Sequence, residues 1–430
     1  MSRCSLVLAL VLATVVASPA AADRYDDRVA KVLRATPLID GHNDWPETLR
    51  EREGEKRWTI DLTTGLDRVT PRYDTDIARM RKGGVGGQFW SVYVDPALPG
   101  LEQVKETIEQ IDLVHQIAAR YPSDFAIART AADVRRIHKA GKIASLIGVE
   151  GGGQIDGSFS VLRTYHALGA GYLTLTHSRT IEWADSATDN PRHGGLTAFG
   201  EAVVGELNRL GMLVDLAHVS EDAMRDALRV TKAPVIFSHS GARAVGDHPR
   251  NVSDDVLRLV AANGGVVMVD FAPNYVSNEY RRWSADKAAE ATRLNAPPFG
   301  GMFIGEPDKA AAAMQDWLAK HPAPRVTLAQ VADHIVHVAK VAGVDHVGIG
   351  SDFDGVGSTL PEGLRDVSTY PALLAELMRR GWSDADIAKL AGGNVLRAMA
   401  GAERVAASLK GTLPATGTVA GMDAGAKPAG

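Results

Sequence analysis

The chain has 430 residues, 45% hydrophobic and 23% charged, and carries a net charge of −5 from 47 Lys+Arg against 52 Asp+Glu. That balance offers no basic excess for nucleic acid, the apolar fraction excludes general disorder, and the single cysteine excludes an internal disulfide framework or a Cys-rich zinc module. The length allows either several small domains or one large α/β barrel with insertions.

The chain opens with Arg3 and Cys4, an apolar run Leu6–Ala17, and the small residues Ser18-Pro19-Ala20-Ala21-Ala22 ahead of Asp23. A basic start, a short apolar centre and a small-residue end read as an export leader over residues 1–22. The apolar run is too short to span a bilayer. Removing the leader takes away Arg3 and Cys4 and leaves 46 basic and 52 acidic residues, net −6, with no cysteine. An exported protein without thiols, periplasmic or secreted, must hold any metal on His and carboxylates.

After the leader, short β-type runs alternate with longer helical patterns. The strands expected in chain order are Pro37–Asp44, Gly84–Val94, Ile143–Gly151, Tyr172–His177, Met212–His218, Pro234–His239, Gly265–Phe271 and His346–Asp352. Most are nearly continuous apolar runs, as parallel strands covered on both faces require. Helical spacing marks Leu101–Arg120, Leu196–Leu210, Ser220–Val230, Ser253–Ala262, Leu328–Ala342, Tyr370–Arg380 and a final pair within Ser383–Ala407. Eight such strands predict a (β/α)8 TIM-like barrel over residues 23–408. An open doubly wound sheet is the alternative, but Gly151-Gly152-Gly153 lacks the spacing of a dinucleotide loop. One long, polar, Pro- and Gly-punctuated insertion, Asn274–Arg325, follows the seventh strand, with a helical stretch expected at Lys309–Lys320. The Gly-, Ala- and Pro-rich end, residues 409–430, reads as a disordered tail without the apolar terminus of a lipid-anchor signal.

Polar residues gather where the strands end. His42 and Asp44 end the first, Glu150 the third, His177 the fourth, His218 the fifth, His239 the sixth and Asp352 the eighth. In a parallel barrel all these ends meet on one face, so distant residues share one site. His and carboxylates without thiolate suit zinc and similar divalent ions. Strand periodicity turns His42 and Asp44 to the same side, so both can reach one ion. Glu150 can bridge two ions, and His218 and His239 can complete the second. The remaining histidines fall in helices, loops or a strand start and read as structural or solvent-exposed.

The segments Asp40-Gly41-His42-Asn43-Asp44, Gly148-Val149-Glu150-Gly151, Leu175-Thr176-His177, Asp215-Leu216-Ala217-His218, Phe237-Ser238-His239-Ser240 and Gly350-Ser351-Asp352-Phe353-Asp354-Gly355, taken in this order, resemble the membrane (renal-type) dipeptidase family. That family is the peptidase branch of the metal-dependent amidohydrolases. Trp183-Ala184-Asp185, Arg250-Asn251-Val252 and Asn274-Tyr275 extend the likeness, which runs from about Thr36 to Arg404.

The resemblance implies two Zn²⁺ per chain, with His42 and Asp44 on one, Glu150 bridging, and His218 and His239 on the other. It implies Asp352 as the proton-transferring acid/base, His177 and Arg250 as binders of substrate and oxyanion, and Tyr275 as a pocket wall. The activity implied is hydrolysis of a dipeptide by a hydroxide held between the metals. The family suggests a C-terminal D-residue among the substrates and carbapenem-like β-lactams as a side activity. The insertion at Asn274–Arg325 is longer than in mammalian members and bears on substrate preference. The missing cysteines and anchor tail mean that disulfide-linked dimers and a membrane anchor do not carry over, while a homodimer stays open. Partners are then small dipeptides, with neither nucleic acid nor membrane. The alternatives are an amidohydrolase of N-acyl amino acids or lactones with the same metal pair, and a metal-containing binding protein without catalysis. Asp352, which a purely structural metal site does not need, argues against the last.

Overall fold

The computed structural model describes residues 25–357 and 359–424. The leader expected at residues 1–22 lies outside the described residues, as does the end of the tail, 425–430.

Among the described residues nine strands run in chain order: β1 Leu38–Asn43, β2 Val85–Tyr93, β3 Phe125–Ile127, β4 Ile143–Glu150, β5 Ala170–Thr174, β6 Leu213–Asp215, β7 Ile236–Phe237, β8 Val266–Val269 and β9 Val347–Ile349. Eight of them close into an all-parallel ring. β2 pairs with β1 on one side and β4 on the other, and the ring continues through β5, β6, β7, β8 and β9 back to β1. These eight are the expected strands, so the chain folds as a (β/α)8 barrel. β3 was not foreseen. It pairs Phe125 with Ile143 at the start of β4, on the edge β5 leaves free because β5 joins only from Ile147.

Alternation along the strands divides the apolar residues between two cores. Ile39, Phe89, Leu146, Tyr172, Ile236 and Met268 pack inside the ring, together with Val134, Ile137 and Leu396 from flanking helices. Leu38, Val149, Leu173, Val214, Phe237 and Val267 turn outward and pack in the layer between ring and helices. One interior contact needs glycine. A Cβ at Gly148 would lie 1.9 Å from Cζ of Tyr172, so this glycine lets the tyrosine ring cross the barrel.

The strands are shorter than expected at their C-terminal ends. His177, His218, His239 and Asp352 lie just past the last paired residue rather than on the ladder. Two of them adopt left-handed backbone, His218 with φ 68° and Asp352 with φ 63°, which re-aims their side chains at a conformational cost to the fold. Helices Asp26–Ala35, Trp45–Glu53, Ala131–Lys139 and Phe159–Leu168 are present beyond those expected. The insertion is also more ordered than its polar sequence indicated. It holds a 17-residue helix, Asn278–Leu294, as well as Pro307–Lys320.

The tail corrects the expectation of disorder over residues 409–424. Ala415 donates its N–H to Glu206 (3.1 Å) and accepts from Arg163 (3.1 Å). Asp423 caps the Phe199 N–H (3.0 Å). Ala415, Val419 and Met422 pack on the outer apolar layer. Small residues let this segment lie close to the helices, where composition alone suggested solvent.

Candidate metal centre and active-site cavity

The structure brings His42, Asp44, Glu150, His177, His218, His239 and Asp352 together at the C-terminal face of the ring. Glu150, the last residue of β4, stands at the centre and uses its two oxygens differently. Oε2 lies 3.3 Å from Nε2 of His42, which is itself 3.4 Å from Oδ1 of Asp44. Oε1 lies 3.0 Å from Nε2 of His218 and 3.3 Å from Nε2 of His239. Two three-residue ligand sets follow, His42–Asp44–Glu150 and Glu150–His218–His239, joined through one carboxylate. A third grouping, His42–His239–Asp352, places Asp352 beside both.

The donor chemistry fits a pair of cations. Nε2 of His42 and Oδ1 of Asp44 are buried and have no hydrogen-bond partner. Buried polar atoms are normally satisfied, so a donor pair left bare is aimed at something else. The opposite ring nitrogens are held by the protein. Nδ1 of His42 is 3.1 Å from the Tyr172 hydroxyl, which donates to the Gly41 carbonyl (3.3 Å). Nδ1 of His239 is 2.9 Å from Oγ of Ser238, which donates to Asp215 (2.6 Å). Each hydroxyl gives its proton away and accepts the imidazole N–H, which turns both Nε2 atoms toward Glu150; that of His239 also lies 2.9 Å from Nε2 of His218. Thr174 also donates to Asp215 (2.6 Å), fixing the base of that relay. Tyr172, Ser238 and Asp215 were not singled out beforehand as supports. The adjacency of Ser238 and His239 was the one local signal.

Electrostatics agree. Burial first, and then Arg250 for His218 and His42 and Arg250 for His239, hold both imidazoles well below the ordinary histidine range, so both are neutral. Burial alone would raise Glu150, yet His42, His177 and hydrogen bonds from His218 and His239 hold it well below the usual carboxylate range. Burial would lower His42, but Glu150, Tyr172 and Asp44 together raise it well above normal. The first ligand set thus carries an excess of negative charge, which a bound cation would neutralise in place of the proton on His42. Burial, then Asp270 and Asp44, raises Asp352 well above a normal carboxyl.

A cavity of about 590 Å³ opens over this cluster, lined among others by Asp44, Glu150, His177, Arg250, Tyr275 and Asp352. His177 is 3.9 Å from Oε1 of Glu150, and its ring lies 4.4 Å from that of Tyr93. Burial lowers His177, so it faces the cavity as a neutral imidazole. Arg250 is only 1% exposed. It donates to Oγ of Ser240 (3.2 Å) and the His239 carbonyl (3.1 Å) and lies 5.2 Å from the Tyr275 ring. It makes no carboxylate pair among the described residues, and its Nε has no partner. Asp270 is the carboxyl whose charge it feels, but no carboxylate bonds it directly, so its planar fork can still receive an anion. Gly355 closes the opposite side, where a Cβ would sit 2.1 Å from Oδ2 of Asp44 and 2.7 Å from Oδ1 of Asp352. Asp354 is also buried, with its Oδ1 accepting from the Asp74 N–H (2.7 Å).

Comparison with known proteins agrees with this geometry. Residues 26–412 match the family model described as membrane dipeptidase (peptidase family M19). The chain is 42% identical over 393 residues to dipeptidase aclJ of Aspergillus oryzae, covering 89% of this chain and 82% of the relative. Among solved structures it is similar to the probable dipeptidase PvdM of Pseudomonas aeruginosa (TM-score 0.71, 26% identity, 88% of this chain and 98% of that one). It is similar as well to dipeptidase AC, a metallopeptidase of family M19 (TM-score 0.68, 26% identity, 85% and 98% covered). This match over nearly the whole described length, on a barrel whose strand ends gather His and carboxylate side chains, places the chain in the membrane dipeptidase family, peptidase family M19, as a metallo-dipeptidase.

Proposed function

We propose that the chain is a binuclear zinc dipeptidase that hydrolyses the peptide bond of free dipeptides. The observation that carries this reading is the division of Glu150, one oxygen toward His42 and Asp44 and the other toward His218 and His239. His42 and Asp44 would hold one ion, His218 and His239 the other, with Glu150 shared. When bound, such a pair supplies Lewis acidity and a nucleophilic water at neutral pH.

The protein's own residues do the rest. Arg250, buried and without a carboxylate partner, binds the C-terminal carboxylate of the substrate through its planar fork. Tyr275 covers the guanidinium and closes that end of the cavity. His177, kept neutral by burial, donates a hydrogen bond to the carbonyl oxygen as charge develops there. Asp352, raised by burial and by Asp270 and Asp44, takes the proton of the attacking water and passes it to the leaving amine.

Removal of metal by a chelator should abolish activity, and about two Zn²⁺ per chain should restore it. Full activity in metal-stripped protein would overturn the reading. A panel of L,L- and L,D-dipeptides, N-acyl amino acids, lactones and a carbapenem-like β-lactam defines the substrate class. Faster turnover of N-acyl amino acids than of free dipeptides would favour the amidohydrolase alternative. Among the described residues no helix is long and apolar enough to cross a membrane. Export, to the periplasm or outside, rests on the Leu6–Ala17 run, and sequencing the exported protein should find its N-terminus near Asp23. An intact Met1 there would contradict a cleaved leader.

A further inference from the structure

The helix Trp45–Glu53, which leaves β1 directly after Asp44, carries a second set of cavity residues. Glu47 and Glu51 stand one turn apart, and both line the cavity above the metal centre. Neither makes a hydrogen bond or ion pair among the described residues. The nearby cations are engaged elsewhere: Arg50 pairs with Glu106 (2.9 Å) and Glu109 (3.5 Å), and Arg52 donates to the Arg72 carbonyl (2.9 Å) and lies over the Tyr73 ring (5.0 Å). Like charges at this spacing destabilise a helix; Arg52 lines the same cavity and His42 acts on Glu47 from a distance, but neither bonds to either carboxyl. Burial and the crowding of Asp44, Glu51 and Glu150 push the Glu47 carboxyl up to about 10, the mark of a group short of a counter-cation.

Two further observations point to a ligand at this wall. Asp354, 8% exposed, lines the same cavity, and its buried Oδ2 has no partner. It is tied to the Glu47–Glu51 helix, since its carbonyl accepts the Thr48 hydroxyl at 3.0 Å. Tyr93 lines the cavity as well, its hydroxyl acidity weakened first by burial and next by Glu47. Carboxyls beside an aromatic ring form an environment suited to an organic cation.

Chain geometry says which part of a substrate reaches this wall. Arg250 follows β7, whereas Glu47 and Glu51 follow β1, with β8 and β9 between them in the ring. The metal ligands Asp44 and Glu150 share the cavity with both. A dipeptide with its carboxylate on Arg250 and its scissile carbonyl at the Glu150 centre extends its amino-terminal residue toward Glu47 and Glu51. We propose that Glu47 and Glu51 form a cation-binding subsite for that residue, so that the enzyme prefers dipeptides with lysine or arginine in the amino-terminal position. This rests on the dipeptidase reading above.

The test compares Lys-Ala with norleucyl-Ala, which has a similar length without the charge, on the zinc-loaded full chain. The wild-type protein should favour Lys-Ala in kcat/KM by about tenfold or more, the scale of one charge-assisted hydrogen bond. Glu47→Gln and Glu51→Gln should each reduce that ratio, and the double variant should bring it close to one, with zinc content retained. Calorimetric binding of both dipeptides to the same proteins gives a second readout. A wild-type preference near one in turnover and binding, or a preference unmoved in the double variant, overturns the subsite. A Lys-Ala binding preference that the double variant loses, without hydrolysis of either dipeptide, upholds the subsite and sinks the dipeptidase reading alone.

Discussion

The Tyr172 hydroxyl lies 3.1 Å from Nδ1 of His42 and donates its proton to the Gly41 carbonyl at 3.3 Å, so it accepts from the imidazole and leaves Nε2 bare toward Asp44 and Glu150. A residue on β5 thus sets the tautomer of His42 on β1. Tyr172→Phe removes this support with little change of volume. It should weaken zinc binding by about 10- to 100-fold, the usual loss when such an outer partner is removed. Competition with a chromophoric chelator measures this, and unchanged affinity would show that the hydrogen bond does not govern the ligand.

Asp352 is read as proton carrier rather than ligand. Asp352→Asn should lower kcat by at least about 10²-fold, a general acid–base contribution, while metal content stays near that of wild type. Loss of metal in this variant, measured by elemental analysis, would make Asp352 a ligand instead.

Arg250 makes no direct carboxylate pair among the described residues and is proposed to take the substrate carboxylate. Wild-type enzyme should therefore discriminate against dipeptide amides relative to free dipeptides by about tenfold or more in kcat/KM. Arg250→Met should remove most of that discrimination. Equal discrimination in wild type and variant would place the carboxylate elsewhere.

Asp354 and Asp74 exchange backbone hydrogen bonds, Asp74 N–H to Oδ1 of Asp354 (2.7 Å) and Asp354 N–H to Oδ2 of Asp74 (3.1 Å). Burial, with their mutual repulsion, raises Asp354 to about 8, and burial raises Asp74 to about 6. Both folded values lie above the unfolded carboxylate range near 4. The folded state therefore holds more protons, and the associated stability is present below about pH 4 and lost as pH rises through 6 and 8. Asp354→Asn removes the upper loss. The fall in Tm between pH 5 and pH 8.5 should shrink by about 2 °C or more. An unchanged or steeper fall would contradict the assignment.

Much of the site was legible because its chemistry sits where one chain pattern repeats, a β-run ending in His or a carboxylate. His42, Glu150, His218 and His239 could be placed together from a barrel alone, and the barrel from its alternating runs. Strand ends were overdrawn because apolar character continues through Leu175 and Leu216 after the ladder stops, while the backbone turns into left-handed geometry at His218 and Asp352. β3 escaped notice because three residues carry too little periodicity. The supports Tyr172 and Asp215 were illegible because their roles arise between strands: a tyrosine opposite Gly148, and a carboxylate reached by Thr174 and Ser238. The tail's contacts are hard to read from composition, since they rest on a few scattered groups: the Ala415 backbone on Glu206 and Arg163, and the Asp423 carboxylate on the Phe199 N–H.

The ring closes at its least local point. Asp40 pairs with Ile349 across the β1–β9 seam, and the Asp40 carboxylate accepts from the Ser351 N–H at 2.7 Å. The first strand therefore waits for the last before its edge is filled. Chains whose partners lie so far apart in sequence fold slowly, because loop closure precedes the contacts that reward it. Asp352 reaches His42 only once this seam is shut, so the complete active site is among the last parts of the molecule to exist during synthesis.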